Sequence, residues 1–381
     1  MLEAFLNAKP LYYDVIDYTR MPRVYESIKA KLKLPKIIHL IGTNGKGTTG
    51  RFLASALHSL GYKTGHYTSP HIREFNERIW LNGSNISPID LNKAHLKLLS
   101  LLSKEDSDML SYFEYTTLLA VLVYEDMDYV VLEAGLGGEY DATAVFPNIL
   151  TLVTPIDIDH EAFLGNSIEE IARTKLNAIV SYGILAKQPH RESLDVAQDI
   201  AVEKKLEITT LDSFIGAVDS EKIKKIARFN NLPKYLEDNL SLAIAALNFL
   251  DIPYSSKDFN SSRLYGRLSK ISDNIIIDVG HNTLAAKSIY ESLKKQKFTL
   301  VYNSYKDKNY REILTILKPI IKEVLLIKVD DSRVELRDTM QKTLDELSLE
   351  HGIFEGVESS KNYLVFGSFS VVEAFLKGWN E

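Results

Sequence analysis

Lys36-Ile37-Ile38-His39-Leu40-Ile41 runs directly into Gly42-Thr43-Asn44-Gly45-Lys46-Gly47-Thr48-Thr49. The first six residues form an apolar, β-branched run with the length of a buried strand. The next eight bring together glycines, a lysine and threonines. Glycines let backbone N–H groups turn toward an anion with no Cβ in the way. A helical pattern follows over 46–60 and stops at Gly61, a natural residue just past a helix end. Strand, glycine turn and helix N-terminus together make an anion cradle, because the helix end carries partial positive charge. Lys46 can reach the β and γ phosphates of a nucleotide, and a threonine hydroxyl can meet Mg²⁺. Only two residues separate Gly42 from Gly45, so the spacing is not that of the standard Walker loop. The bland alternative is a strand–turn–helix junction with a surface lysine. The coincidence of these residue types at that junction weighs against it.

Outward from this loop, short apolar runs alternate with longer helical patterns, as in an α/β protein with a mainly parallel sheet. Strands are expected over 129–132 and 149–154, and a helix over 112–125. Ser87-Pro88-Ile89-Asp90 reads as an N-cap with proline at the first helical position and an acid at the third. Ser167 with Glu170 reads as a capping box. The pattern restarts near residue 264, with strands expected over 275–279, 299–302, 324–329 and 364–366. Helices are expected from about 284, over 310–317 and at the C-terminus. Ser, Asp and Asn cluster over 255–263, where a domain boundary is placed. The expected domains are 1–262 and 263–381.

The chain has 381 residues, a formal charge of −6 and no cysteine. Disulfides, zinc–thiolate sites and a cysteine nucleophile are excluded. No stretch concentrates Lys and Arg enough to track a phosphate backbone, so neither nucleic acid nor an anionic membrane is an expected partner. The N-terminal residues carry acids where a signal peptide carries bases, and no apolar run has the length of a bilayer span. A cytoplasmic location is expected.

Four further motifs give the loop its context. Tyr67-Thr68-Ser69-Pro70-His71 precedes Phe75-Asn76-Glu77-Arg78-Ile79. Asp128-Tyr129-Val130-Val131-Leu132-Glu133 ends a strand in an acid and leads into Ala134-Gly135-Leu136-Gly137-Gly138. A carboxylate there, beside a phosphate loop, is where Mg²⁺·ATP needs a hard oxygen ligand. Asp157-Ile158-Asp159-His160 follows the strand over 149–154, and Lys175 lies on the helix opened by Ser167. The loop at 42–49 resembles the nucleotide loop of the folylpolyglutamate synthase family, a branch of the Mur ligase superfamily, and the resemblance extends along nearly the whole chain.

That resemblance implies roles. The nucleotide loop is Gly42, Thr43, Asn44, Gly45, Lys46, Gly47, Thr48 and Thr49. Ser69, Glu133 and His160 would be the Mg²⁺ ligands. Ser69, Pro70, His71 and Arg78 would belong to a folate-contacting Ω loop. Lys175 corresponds to a lysine carbamylated by CO₂ in the family. Asn239 matches an asparagine that contacts nucleotide, although the family's preceding His-Gln pair is absent. Tyr265-Gly266-Arg267-Leu268 resembles a GRLE-type motif, with Arg267 on phosphates. Asp278-Val279-Gly280-His281-Asn282 resembles DGAHN, with Asp278 on the ribose and His281 on phosphate and the incoming glutamate. Asp307-Lys308-Asn309 stands where the family has DKD. Ser368 falls where the family places its amino-acid substrate. Departures from the family pattern are Glu139 for Arg, Ala144 for Asn, and Thr174 for Glu.

The expected fold class is α/β: an N-terminal P-loop nucleotide-binding domain with a mainly parallel sheet, and a smaller C-terminal Rossmann-like domain. The implied chemistry is amide ligation. ATP converts a carboxylate of dihydropteroate or of a reduced folate to an acyl phosphate, and the amine of L-glutamate displaces phosphate. Lys46, Lys175 and His281 would be the catalytic side chains, Mg²⁺ the cofactor, K⁺ a further cation, and the protein a monomer. A Mur-type cell-wall ligase uses the same chemistry but carries a UDP-binding domain ahead of a loop that here begins at Gly42. A nucleotide switch would need an Asn-Lys-x-Asp signature. A non-catalytic folate-binding relative would explain the departures but not Lys46, Glu133, His160 and His281.

Overall fold

The structure is a computed structural model describing residues 1–10, 17–260 and 262–379. It divides into two compact units. The first comprises Met1–Leu232 and Leu236–Ser262, the second Pro233–Tyr235 and Arg263–Glu381.

The first unit holds β1 (Lys36–Ile41), β2 (Thr64–Tyr67), β3 (Ile79–Leu81), β4 (Ser84–Asn85), β5 (Tyr129–Glu133), β6 (Leu150–Val153), β7 (Gly183–Leu185) and β8 (Ile208–Thr210). They form one sheet in the order β4-β3-β2-β5-β1-β6-β7-β8. The run from β2 to β8 is parallel, and β3 and β4 add an antiparallel edge. Alternation along β1 and β5 supplies both faces of the core. Ile38, Leu40 and Val131 pack with Phe52, Leu53 and Leu57 of the helix Lys46–Ser59. Ile37, Val130 and Leu132 pack on the other side with Tyr115, Leu118 and Leu119. Burying each such aliphatic side chain stabilises the fold by about 1.5–3 kcal/mol. β1 is central, so Leu40→Ala should cost about 2–5 kcal/mol.

The caps form largely as expected. Ser87 Oγ accepts from Asp90 N at 3.1 Å, and Ser167 Oγ accepts from Glu170 N at 3.2 Å. The reciprocal bond of the second cap differs: Glu170 Oε2 accepts from Asn166 N at 2.7 Å, one residue earlier than a capping box requires. Among the described residues no helix is long and apolar enough to cross a membrane.

The second unit holds β9 (Ser269–Ser272), β10 (Ile275–Asp278), β11 (Phe298–Tyr302), β12 (Ile321–Leu326), β13 (His351–Ile353) and β14 (Tyr363–Phe366). Their order is β13-β12-β11-β14-β10-β9. All pairs are parallel except β9 with β10. β12 starts three residues before the expected 324. A 3₁₀ turn, Lys318–Ile320, leads straight into it. Its polar residues Lys322 and Glu323 hid the start of the strand; Glu323 pairs with Lys361 at 3.0 Å.

Candidate active site

Ligands of open α/β sheets sit beyond the carboxyl ends of the parallel strands. In the first sheet β2, β5, β1 and β6 are consecutive neighbours. Their ends deliver, in that order, Ser69, Glu133, the loop 42–49 and the segment 154–160.

The loop 42–49 is tied to the segment that follows β6. Thr43 N donates to Pro155 O at 2.9 Å, and Thr43 Oγ1 donates to Asp157 O at 3.0 Å. Gly45 has φ +97°, and a Cβ there would lie 2.5 Å from Asn239 Oδ1. Glycine is therefore needed twice at this point, for the backbone and for the space. Asn239 Nδ2 donates to Thr48 Oγ1 at 2.5 Å. Asn239 lies on the helix Lys234–Phe249, 191 residues from Thr48 in sequence. Thr49 Oγ1 is buried with no hydrogen-bond partner among the described residues.

Two lysines meet on one carbonyl. Lys46 Nζ donates to Gly42 O at 3.1 Å, and Lys175 Nζ donates to the same oxygen at 3.2 Å. Lys175 is only 3% exposed. Burial, with the Lys46 charge nearby, pulls its pKa down to about 7 against the opposing pull of Asp159 and Asp141. A large fraction of Lys175 is thus a neutral amine near pH 7.

Glu133 and the Ser69 segment also meet. Glu133 Oε2 accepts from the Thr68 hydroxyl and from Ser69 N at 3.3 Å. Register explains this: Leu132 is opposite Tyr67 and Glu133 opposite Leu40. Carboxylate and hydroxyl oxygens at a strand end suit a hard cation such as Mg²⁺. The one sequence signal for Thr68 is its place just before Ser69. His160 has φ +55° at the start of the short helix Glu161–Leu164. Its backbone N–H donates to Asp159 Oδ1 at 3.0 Å.

The loop 69–78 is held from inside. Glu77 accepts from the backbone N–H groups of Ile72, Arg73 and Glu74 at 2.8, 3.0 and 3.0 Å. Arg78 Nε donates to His71 Nδ1 at 2.8 Å, and the guanidinium lies over the Tyr112 ring at 5.2 Å. Burial first, and then the Arg78 charge, pushes the His71 pKa down to about 4. His71 is thus a neutral acceptor at neutral pH. Pro70 follows Ser69 in this loop, between the Glu133 contact and the His71–Arg78 pair.

Two of the departures noted in the sequence fall beside Lys175. Glu139 Oε2 accepts from Asn177 Nδ2 at 2.9 Å, and Glu139 N donates to Thr174 O at 2.9 Å. Gly138 lies so close that a Cβ would sit 2.7 Å from Lys175 Cα. Ala144, the third departure, is in the 3₁₀ turn Ala142–Val145. Two buried residues missed by sequence reading support that turn. Asp141 accepts from Leu136 N at 2.9 Å and from Thr143 Oγ1 at 2.6 Å. His39 Nε2 lies 2.7 Å from Thr143 Oγ1, and burial pushes its pKa to about 4.

In the second unit, Asp278 ends β10. Its Oδ1 accepts from Gly280 N at 2.8 Å and its Oδ2 from Leu268 N at 2.9 Å. Burial raises its pKa and the Arg267 charge opposes the rise. Arg267 lies over the Phe369 ring at 5.6 Å. His281 Nδ1 is 3.4 Å from Val279 O. Gly367 N donates to Gly280 O at 3.2 Å, joining the ends of β14 and β10. Ser368 Oγ accepts from Val371 N at 3.1 Å and so caps the helix Phe369–Trp379. Asn309 caps the helix Tyr310–Leu317 through Glu312 N at 3.2 Å, a task aspartate and asparagine share.

No family model matches the chain. A dihydrofolate synthase/folylpolyglutamate synthase of Buchnera aphidicola subsp. Schizaphis graminum is 30% identical over 367 residues, spanning 88% of this chain and 86% of the relative. The crystal structure of Helicobacter pylori folylpolyglutamate synthetase superposes with a TM-score of 0.82 at 41% identity, covering 99% of this chain and 97% of that one. Escherichia coli FolC in complex with DHPP and ADP superposes with a TM-score of 0.81 at 25% identity, covering 98% and 96%.

Proposed function

The chain belongs to the dihydrofolate synthase/folylpolyglutamate synthase family of ATP-dependent ligases, and from that premise we propose that it joins L-glutamate both to dihydropteroate and to the glutamate tail of tetrahydrofolate. The observation that carries the proposal is the meeting of Lys46 and Lys175 on Gly42 O, one strand from the Glu133–Ser69 contact. A phosphate-directed cation and a carboxylate site then lie side by side at the end of one sheet.

In the first step the acceptor carboxylate oxygen attacks the γ-phosphorus, the bond to the β-phosphate oxygen breaks, and ADP leaves. Lys46 offsets charge on the transferring group, and Arg267 is assigned to phosphate. Mg²⁺, when held by Glu133, Ser69 and His160, supplies further positive charge there. In the second step the glutamate amine attacks the acyl carbon, phosphate leaves, and the amine gives up its proton. His281 and Ser368 are assigned to glutamate, Asp278 to the ribose, and the loop bearing Ser69, Pro70, His71 and Arg78 to the folate. Asn239 acts through Thr48, holding the nucleotide loop. Aligning the reactants is worth up to ~7–11 kcal/mol of barrier.

Lys175 is assigned to carbamylation. Its neutral amine attacks CO₂, loses a proton and becomes a carbamate, turning a cation into an anion able to hold a second metal. A pKa near 7 supports this, because only the free amine reacts. K⁺ is assigned as a further cation.

The test is phosphate release from Mg²⁺·ATP and L-glutamate with dihydropteroate or tetrahydrofolate as acceptor, products identified by mass. A glutamyl product from both acceptors supports the dual reading. Product from one names the activity, and product from neither removes the ligase assignment.

A further inference from the structure

Tyr235 lies in the first turn of the helix Lys234–Phe249, yet with Pro233 and Lys234 it groups with the second unit. Its hydroxyl donates to Asp278 Oδ2 at 3.3 Å. Among the described residues the Asp278 side chain is therefore held by three donors. Leu268 N at 2.9 Å and Tyr235 OH occupy Oδ2, and Gly280 N at 2.8 Å takes one position on Oδ1. A carboxylate offers about four acceptor positions. Among the described residues the fourth, on Oδ1, has no donor.

The surrounding backbone is shaped for this arrangement. Leu268 has φ +42°, a conformation rare for a side chain of its kind, and its N–H donates to Asp278. Gly280 packs within 3.0 Å of Asp278 Oδ1 at its Cβ position, so a larger residue would crowd the remaining acceptor. Burial and the Asp278 charge raise the Tyr235 pKa well above its usual value, so the phenol stays a donor. Of the three donors, two are backbone groups common to any sequence. Only Tyr235 is a side chain, and it comes from a different stretch of chain.

We propose that Tyr235 is a positioning residue for nucleotide: by filling Oδ2 it fixes the Asp278 carboxylate with Oδ1 turned to a vicinal diol, the chemical signature of a ribose. The inference rests on the assignment of Asp278 to the ribose. Without the phenol, Oδ2 loses one of its two donors and the carboxylate can rotate about its Cβ–Cγ bond. Affinity for the diol then falls while the rest of the nucleotide contacts stay in place.

The experiment titrates ADP and its 2′-deoxy and 3′-deoxy forms into native protein, Tyr235→Phe and Asp278→Asn by calorimetry, and repeats the comparison with the triphosphates as KM and kcat. A hydrogen bond to a charged group predicts roughly tenfold or greater preference for the full ribose in native protein. Tyr235→Phe should keep kcat and the melting temperature and reduce that preference to about threefold. Asp278→Asn should abolish it. No preference in native protein, or a native preference in Asp278→Asn, overturns the ribose assignment and the inference with it. A full preference in Tyr235→Phe, with the preference lost in Asp278→Asn, overturns the inference alone. Equal loss of affinity for all three nucleotides in Tyr235→Phe assigns the phenol to structure and also overturns it.

Discussion

Replacing Lys175 by methionine keeps the stem of the side chain and removes the amine. In the unfolded chain that amine titrates near 10.5, and in the folded chain burial brings it to about 7. Between those values the unfolded chain binds one more proton than the folded chain. Stability from this residue therefore rises with pH through the window and is least favourable, and flat, below about pH 7. One pKa unit corresponds to about 1.4 kcal/mol. Taking both titrations into account, the change from pH 7 to pH 9 adds about 2 kcal/mol to the native protein. Lys175→Met lacks that increment. At pH 7 the variant should be the more stable protein by a few kcal/mol, since it buries no cation. Urea unfolding of both proteins at pH 7 and pH 9, in carbonate-free buffer, reads the difference directly. Equal pH slopes in the two proteins would falsify the depressed pKa. A carbamate carbon signal on adding ¹³C-labelled CO₂, present in native protein and absent in Lys175→Met, checks the chemistry that the neutral amine permits. If both give the signal, it arises elsewhere and the carbamylation assignment fails.

Lys46→Ala should lower turnover by at least about a thousandfold while circular dichroism and melting temperature stay close to native; retained activity rejects the phosphate-loop role. Glu133→Ala should raise the Mg²⁺ concentration needed for half-maximal activity, and an unchanged Mg²⁺ dependence removes Glu133 from the metal site. Gly45→Ala places a Cβ against Asn239 at a backbone angle of +97°. It should weaken ADP binding and destabilise the protein by about 1–3 kcal/mol, read by calorimetry and melting temperature. Native ADP affinity in that variant shows that the loop tolerates the contact.

Local chemistry made much of the first unit legible. β-branched residues over 36–41 and glycines at 42 and 45 determine a strand, a tight turn and a helix start without reference to the rest of the chain. Ser167 and Glu170 mark a helix start for the same reason, although Glu170 bonds to Asn166 N rather than to Ser167 N. The start of β12 is not legible in the sequence because Lys322 and Glu323 break the apolar run, and Glu323 is satisfied by Lys361 from 38 residues later in the chain. Thr68, His39 and Tyr235 carry no local signal of their partners because each gains its partner only through folding, whereas Asp141 bonds to Thr143 and Leu136 a few residues away.

By itself the amino-acid sequence determined the α/β class, the glycine-rich turn between β1 and its helix, and the acid at the end of β5, since each rests on neighbours within a few residues. Only the tertiary structure decided that Lys175 reaches Gly42 O from 133 residues away, that Asn239 holds Thr48, and that Glu133 meets Ser69. It also decided that Lys175 titrates near neutrality. The reason is physical: strand order is set by long-range pairing, and a pKa is set by the burial and charges that pairing creates, neither of which is a property of a short stretch of chain.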